Sequence, residues 1–446
     1  MIVRLRQIFE ELHHRILFIP LLCVVFAVAL SQLSLWIDRQ LDDEGLPRIL
    51  ETTVESGRAI LAAIAGGLIT SITLLLSMML VAVQLASSQF SPRTARDWLG
   101  DRTQQLAIGL VLGAAVFSLL ALREVRSFDG GDELTPHFTV LASLAFGVGA
   151  LVAVVYSVDR LAHSLRIGAV ARRVARETVA ALPAGHPIEP LERPDIAPAM
   201  RTAGTSDRME IPDRAGPIEA RRSGWIQQID LDVLIDALPP DTTAWLTSSI
   251  GEFVLERSPL LWLDPAPDGD GQAAIHEAFA VGDTRTMQQD VGYGIVRLTD
   301  IAVRALSPGV NDPNTANDVV VHLGVVISAI WERPLGDRVI ERDGRRVHRS
   351  QLDYADYLHA AFDPLRRYGC GDATVARTMA RTLRALATET TRRDLPGPVK
   401  PLEDMLGAVV ADALTASNLA ERDRTVLASL VSSASARQGP TGSTPI

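Results

Sequence analysis

The sequence predicts an α-helical membrane domain of four spans, followed by a cytoplasmic α+β region made of a small β-barrel-like module and a helical domain. Most long uncharged runs lie before residue 160, and the remainder has the composition of a soluble protein. From residue 223 the pattern changes to short apolar stretches separated by turns, and later to stretches of helical period. A chain of 446 residues is long enough for two or three domains.

Four segments reach the roughly 20 apolar residues that a membrane-spanning helix needs. They lie at residues 16–36, 59–85, 103–122 and 134–158. The first is also similar to a signal peptide, because arginines precede it and Ala27-Val28-Ala29 resembles a cleavage site. We favour an uncleaved span, since the apolar run continues to Trp36 and a membrane helix tolerates Pro20.

The charges of the loops alternate in sign, and this alternation predicts the orientation. Arginines lie before the first span, between the second and third, and after the fourth: Arg4, Arg6, Arg15, Arg93, Arg96, Arg102, Arg160, Arg166, Arg172, Arg173 and Arg176. The other two loops carry Asp38, Asp42, Asp43, Glu44, Glu51 and Glu55, and Glu124, Asp129, Asp132 and Glu133. Because cytoplasmic loops carry the excess of arginine, both termini are predicted to be cytoplasmic.

Polar residues interrupt the second span at a regular spacing. They are Thr70, Thr73, Ser77, Gln84, Ser87 and Ser91. A seven-residue spacing returns to nearly the same helix face, so these residues predict a polar seam. Close packing between helices, aided by Gly66, Gly67 and Ser71, is one interpretation. The other is a pore-lining face, on which hydroxyls and an amide replace the water around an ion.

Charged residues flank both ends of this seam. Ser91 and Pro92 predict the start of a short interfacial helix that carries Arg93 and Arg96. This helix is either an anchor among lipid headgroups or the cytoplasmic mouth of a pore. At the other end Glu51, Glu55 and Arg58 follow helical spacing, so the two glutamates are candidates for the opposite mouth.

The rest of the chain divides into four segments by composition. A juxtamembrane helix and a proline-rich linker occupy residues 166–222, a small β module residues 223–265, a helical domain residues 275–437 and a disordered tail residues 438–446. Within them we predict a short helix at 231–237, helices at 288–306, 351–368, 373–391 and 401–436, and a buried helix at 319–330 that Asn314 or Thr315 caps.

Oxygen-bearing side chains crowd one turn of the helical domain: Asp300, Asn311, Asp312, Asn314 and Asp318. They could bind a metal ion or another ligand, although helix capping explains Asn and Asp at a turn equally well. The histidines form no zinc pattern, and nucleophile-elbow, P-loop and dinucleotide motifs are absent. We therefore expect neither catalysis nor a cofactor.

Charge and cysteine content exclude further classes. A net charge of −10 without a basic stripe argues against nucleic acid as a partner. Two cysteines, Cys23 and Cys370, are too few for a disulfide framework, so both are expected to be free thiols.

Four stretches resemble a family of bacterial membrane proteins catalogued as domain of unknown function 2254. They are QFSPRTARDWLGDR, SGWIQQID, GEFVLERSPL and GYGIVRLTDIAVRALSPGVNDPNTA, and the resemblance covers roughly residues 15–430. It implies four N-terminal spans in the bacterial inner membrane and a C-terminal region in the cytoplasm. It implies no established activity and no catalytic residues.

Residues 223–264 also resemble, loosely, the barrel of biotinyl and lipoyl carriers. Such carriers need a lysine on an exposed turn, and the only lysine of this chain is Lys400. Ser258 also stands where a glycine often precedes Pro-Leu. A structural or assembly module is the expected role.

The leading functional hypothesis is an oligomeric integral membrane protein whose second span lines an ion-conducting or small-solute pathway. The cytoplasmic domain would assemble the subunits or gate the pathway. The expected partners are the lipid bilayer, further copies of the chain, and ions or small solutes. The alternative is a non-conducting scaffold or sensor tethered to the membrane.

Overall fold

A computed structural model describes most of the chain. The described residues are 18–40, 53–89, 102–127, 133–134, 137–164, 167–185, 200–202, 210–266, 272–336, 338–416 and 419–435. They form two compact units that divide between Arg166 and Ile167. Of the sequence-predicted site residues, Glu51, Ser91, Arg93 and Arg96 lie outside the described residues, as does the predicted tail.

The first unit consists of four long helices. They are α1 (Phe18–Gln40), α2 (Val54–Gln89), α3 (Arg102–Glu124) and α4 (His137–Ser164), with the short strands β1 (Arg126–Ser127) and β2 (Glu133–Leu134) paired between α3 and α4. Each helix is long and apolar enough to cross a membrane, which confirms four apolar helices at the predicted positions. The second helix begins five residues before the predicted span, where Thr53 Oγ1 accepts a hydrogen bond from the Ser56 amide.

Helix α3 is the central helix of this unit and packs against the other three. Its glycines allow close approach, since a Cβ at Gly109 would lie 2.7 Å from Cys23 Sγ on α1. Toward α2 and α4 it buries Val111, Ala114 and Phe117 completely. Apolar side chains therefore fill the described centre of the bundle.

The second unit begins with α5 (Ile167–Gly185) and combines two sheets with helices. The strands are β3 (Met200–Thr202), β4 (Gly216–Glu219), β5 (Gly224–Ile229), β6 (Thr243–Leu246), β7 (Phe253–Val254), β8 (Pro259–Asp264), β9 (Phe279–Gly282), β10 (Arg338–Arg342) and β11 (Arg345–Arg349). The helices are α6 (Leu231–Ala237), α7 (Gln272–Glu277), α8 (Val291–Ala305), α9 (Pro313–Trp331), α10 (Tyr354–Gly369), α11 (Ala373–Arg393), α12 (Lys400–Thr415) and α13 (Glu421–Ser435).

The strands form two open sheets, so the predicted β-barrel-like module is not what the described residues form. One sheet has the order β3-β10-β11-β6-β8-β4 and the other the order β7-β5-β9. The hairpin β10–β11 comes from the predicted helical domain, and β11 pairs in parallel with β6. Two further strands, β3 and β4, come from the predicted linker. The sheets thus draw on three of the predicted segments, and Ile218, Leu261 and Val347 share one core.

A glutamine side chain extends the smaller sheet. The amide of Ile229 in β5 donates to Gln289 Oε1 at 3.0 Å, and Gln289 Nε2 donates to the Ile229 carbonyl oxygen at 3.4 Å. This pair lies on the side of Ile229 away from β9, beyond the end of β7. The side chain therefore replaces the backbone of a neighbouring strand.

Helices α5, α8 and α9 pack against one another. Gly294 of α8 faces Thr178 of α5 so closely that a Cβ at 294 would overlap Thr178.

The predicted short helix at 231–237 is confirmed. The predicted cap of α9 is wrong, because Asp312 is its N-cap residue. Helix α9 is also not buried all round, since Val321 and Val325 are 51% and 54% exposed.

Candidate functional site

The polar seam of α2 lies on the outside of the described bundle. We define the α2 seam as Thr70, Thr73, Ser77 and Gln84, all of which are exposed. At about 100° per residue these four positions fall within an arc of about 60°. Ser87 also belongs to α2, in its final turn.

The opposite face of α2 packs against the bundle. Leu61, Ala65, Leu68, Leu75 and Met79 are buried there, centred about 155° away from the α2 seam at the ideal helical rotation. A Cβ at Gly66 or Gly67 would meet no atom of the described residues within 4 Å. These two glycines, which were predicted to allow helix packing, are therefore not used for it within the described part of one chain.

Each hydroxyl of the seam bonds to its own helix. Thr70 Oγ1 donates to the Gly66 carbonyl oxygen at 3.0 Å, Thr73 Oγ1 to that of Ile69 at 3.0 Å, and Ser77 Oγ to that of Thr73 at 2.8 Å. Ser71 makes the same bond to Gly67 at 2.8 Å, but it lies about 100° from Thr70 on a half-buried part of the helix. Back-bonding lowers the cost of a hydroxyl in lipid.

The first turn of α2 carries the candidate mouth residue Glu55, which is exposed and lies within the same arc as the α2 seam. Arg58 makes a contact within the bundle. Its Nη2 donates to the Val125 carbonyl oxygen at 2.9 Å and so links the start of α2 to the end of α3.

Sequence reasoning missed the polar contacts inside the bundle. Asp38, assigned to an acidic loop, lies in the last turn of α1 and caps α4: its Oδ1 accepts from the Phe138 amide at 2.8 Å and its Oδ2 from the Thr139 amide at 3.0 Å. Deeper in, the hydroxyls of Ser118 and Ser143 lie 2.7 Å apart. Ser118 and Ser143 could have been noticed, since each is a polar interruption of an apolar run, but their pairing could not.

Two adjacent glutamines at the start of α3 are also buried. Gln104 exchanges two hydrogen bonds with Ser157 of α4: its Nε2 donates to the Ser157 carbonyl oxygen at 3.1 Å, and Ser157 Oγ donates to Gln104 Oε1 at 2.5 Å. Gln105 is 1% exposed, and its amide atoms have no hydrogen-bond partner among the residues the structure describes. The hydrogen bonds between Gln104 and Ser157 join α3 to α4.

The predicted ligand residues of the second unit do not converge on one point. The Asp312 carboxylate accepts from the Asn314 and Thr315 amides at 3.1 and 3.2 Å, so it acts as a helix cap. Asn311 has a left-handed backbone, with φ of 48°. Asp318 lies beside α5, its Oδ2 3.3 Å from the position of a Cβ on Gly168. Asp300 is a half-buried residue of α8.

In the described part of the chain, no three His, Cys, Asp or Glu residues are grouped so that they could hold a metal ion. The interpretation of the Asn/Asp turn as a ligand site stays a prediction.

A second cluster joins the stretches on which the family resemblance depends. Arg285 donates from Nε and Nη2 to Asp290 Oδ2 at 2.9 and 2.7 Å, and its guanidinium carbon lies 5.5 and 5.1 Å from the rings of Trp225 and Tyr293. Gly251, with φ of 81°, covers the pair, and a Cβ there would overlap the Asp290 carboxylate. This Arg285 cluster therefore fixes the loop before β7 to the start of α8.

The carboxylate of this cluster is deeply buried. The Asp290 side chain is 5% exposed, and loss of hydration raises its pKa above the ordinary value, although Arg285 opposes the shift. Asp290 Oδ1 also accepts from the Tyr293 amide at 2.8 Å and so caps α8. The two carboxylate oxygens thus have separate structural roles: Oδ1 caps α8, and Oδ2 binds Arg285.

Comparisons with known proteins agree with this architecture. A family model described as "Predicted membrane protein (DUF2254)" matches residues 13–385. The chain is 29% identical over 358 residues to the uncharacterized protein Rv1290c of Mycobacterium tuberculosis and, to the same extent, to the uncharacterized protein Mb1321c of Mycobacterium bovis.

Each alignment covers 76% of this chain but 65% of the relative, so the chain spans less than two thirds of the length of these curated relatives. No solved structure matches the chain. The family model covers the four apolar helices and most of the second unit. The chain therefore belongs to the DUF2254 family of membrane proteins.

Proposed function

We propose that several copies of this chain surround a pathway for ions or small solutes, with the α2 seam of each copy facing the axis. The orientation that the loop charges predict, with both termini in the cytoplasm of a bacterium, completes the proposal. The second unit assembles the copies or gates the pathway. No catalytic step is part of it.

The observation that carries the proposal is the position of the α2 seam opposite the packed face of its helix. Hydroxyls bonded to their own helix tolerate lipid, but the Gln84 amide needs partners that hydrocarbon does not offer. Water or another protein surface supplies them. An exposed polar face in a membrane domain is thus best explained by further copies of the chain, arranged so that these faces surround a water-filled axis.

The packing of the bundle explains why the pathway requires several copies. Val111, Ala114 and Phe117 fill the described centre of one bundle and leave its polar face outside. Large apolar side chains flank the seam, among them Leu74, Leu80 and Val81, which are suited to lipid or to contacts between copies.

The test is ion flux through proteoliposomes that contain the purified full chain. We expect flux in the wild type, and altered flux in Gln84→Leu and Ser77→Leu at unchanged oligomer size in mild detergent. Val152→Leu, on the exposed face of α4, is the matched control and should behave as the wild type. A wild type that conducts no ion in several salts and voltages would contradict the proposal and favour the scaffold or sensor alternative.

A further inference from the structure

We propose that the pathway lined by the α2 seam passes cations and rejects anions. This inference rests on the proposed function and assigns the class of ion to it. Three observations on α2 carry it: the direction of the hydroxyl hydrogen bonds, the charge along the seam, and the length of the helix compared with the thickness of the hydrocarbon core.

The hydroxyls of the seam offer acceptors only. A carbonyl oxygen accepts hydrogen bonds and cannot donate them. Thr70, Thr73 and Ser77 therefore each donate their hydroxyl hydrogen to the carbonyl oxygen four residues earlier. Their remaining lone pairs point away from that bond. An ion beside the seam therefore meets oxygen atoms that carry partial negative charge, which replace the water around a cation. An anion would need N–H or O–H donors, which these groups do not provide.

The charge along the seam has the same sign. Glu55 shares the exposed arc of α2, and no charged residue occurs between residues 59 and 92. Arg58 lies outside the arc, and its guanidinium group bonds to the Val125 carbonyl oxygen. Gln84 carries both donors and an acceptor, so its amide serves either kind of ion.

The helix is long enough to separate the mouths from the centre. Twenty-nine residues of rise from Glu55 to Gln84 correspond to about 44 Å, whereas the hydrocarbon core is about 30 Å thick. Glu55 and Gln84 therefore cannot both lie within the hydrocarbon core, and a charged carboxylate such as Glu55 costs more there than an amide. The hydroxyls of Thr70, Thr73 and Ser77 lie between these two residues along the helix.

The alternative role of the loop arginines predicts the opposite selectivity. If Arg93 and Arg96 ringed the mouth, their positive charge would concentrate anions there. If these arginines bind lipid headgroups instead, the seam hydroxyls and Glu55 determine which ions pass, and the pathway prefers cations. The sign of the reversal potential in a potassium chloride gradient distinguishes the two.

The experiment is a reversal-potential measurement on the reconstituted full chain in planar bilayers with a potassium chloride gradient. We expect the reversal potential to lie close to the equilibrium potential of potassium and far from that of chloride. Replacing potassium with N-methyl-D-glucamine should abolish the inward current, and Glu55→Gln should reduce the preference. A wild type that prefers chloride overturns this inference and leaves conduction itself intact, whereas absence of current overturns the proposed function as well.

A pair of serine variants tests the hydroxyls directly. Ser77→Ala removes an acceptor from the seam, and Ser71→Ala removes the same back-bonded hydroxyl from a different face of the same helix. We expect the first to lower the potassium current about fivefold, the equivalent of roughly one neutral hydrogen bond. The second should leave it unchanged. Equal effects of the two variants would overturn the role of the seam oxygens.

Discussion

The contact between Gly294 and Thr178 makes a quantitative prediction. In Gly294→Ala the new methyl group would lie less than 3 Å from three atoms of Thr178, namely Oγ1, Cγ2 and Cβ. Carbon atoms in contact are normally about 3.5–4.0 Å apart. Rotation of the threonine does not move its Cβ, and Thr178 is fully buried with its hydroxyl bonded to the Val174 carbonyl oxygen. Helices α5 and α8 must therefore move apart.

Overpacking of this kind costs about 1–3 kcal/mol, and we expect the upper half of that range because the backbone itself must shift. For a unit of this size the melting temperature should fall by about 4–10 °C. The measurement is thermal unfolding of the purified full chain in detergent, followed by circular dichroism and tryptophan fluorescence.

A double-mutant cycle provides the control. Thr178→Ala removes two of the three overlapping atoms, so the double variant should recover part of the stability lost in Gly294→Ala. Strictly additive effects, or a Gly294→Ala protein that melts with the wild type, would refute the close contact between α5 and α8.

Four further predictions concern other sites. Because burial raises the pKa of Asp290 above 3.8, the stability that it contributes is complete below pH 3.8 and is lost as pH rises through the folded-state pKa. Asp290→Asn, which keeps a capping oxygen, should remove that decline from urea midpoints measured across acidic pH, and an unchanged pH slope would contradict this. Burial raises the pKa of Cys370 to about 12, so in a Cys23→Ala background it should react with a maleimide only after denaturation; rapid labelling of the native protein would count against it. Gly67→Leu, on the face that flanks the seam, should leave the melting temperature unchanged but reduce oligomer size, and an unaffected oligomer would show that this face is not a contact between copies. Calcium or magnesium should raise the melting temperature only if the turn around Asp312 binds metal, and Asp312→Asn is the control, since it caps equally well.

Features that depend on local pattern were predictable from the sequence. The membrane imposes a minimum apolar length on each helix, so the four spans follow from hydropathy alone. The short helix at 231–237 was also found, and the structure adds Asp230 as its N-cap residue. Periodicity likewise identified the α2 seam.

Features that depend on distant pairings were not predictable. The parallel pairing of β6 with β11 joins residues about a hundred positions apart, and local pattern carries no signal for it. The Asp38 cap of α4 has the same cause, since it crosses 100 residues of sequence. The period of the seam did not reveal which way it faces either. That direction depends on Leu61, Ala65 and Leu75, which pack on the opposite side.

The pairing of Gln289 with Ile229 has a consequence for biogenesis. An unpaired strand edge is a template on which another chain can add a strand, and such edges are exposed during folding. The Gln289 amide occupies both backbone groups of Ile229 where β7 no longer reaches. Unlike a strand, a side-chain amide offers no second row of backbone groups with which a further strand could pair. One side chain thus removes Ile229 from the backbone groups with which another chain could pair, without lengthening β7.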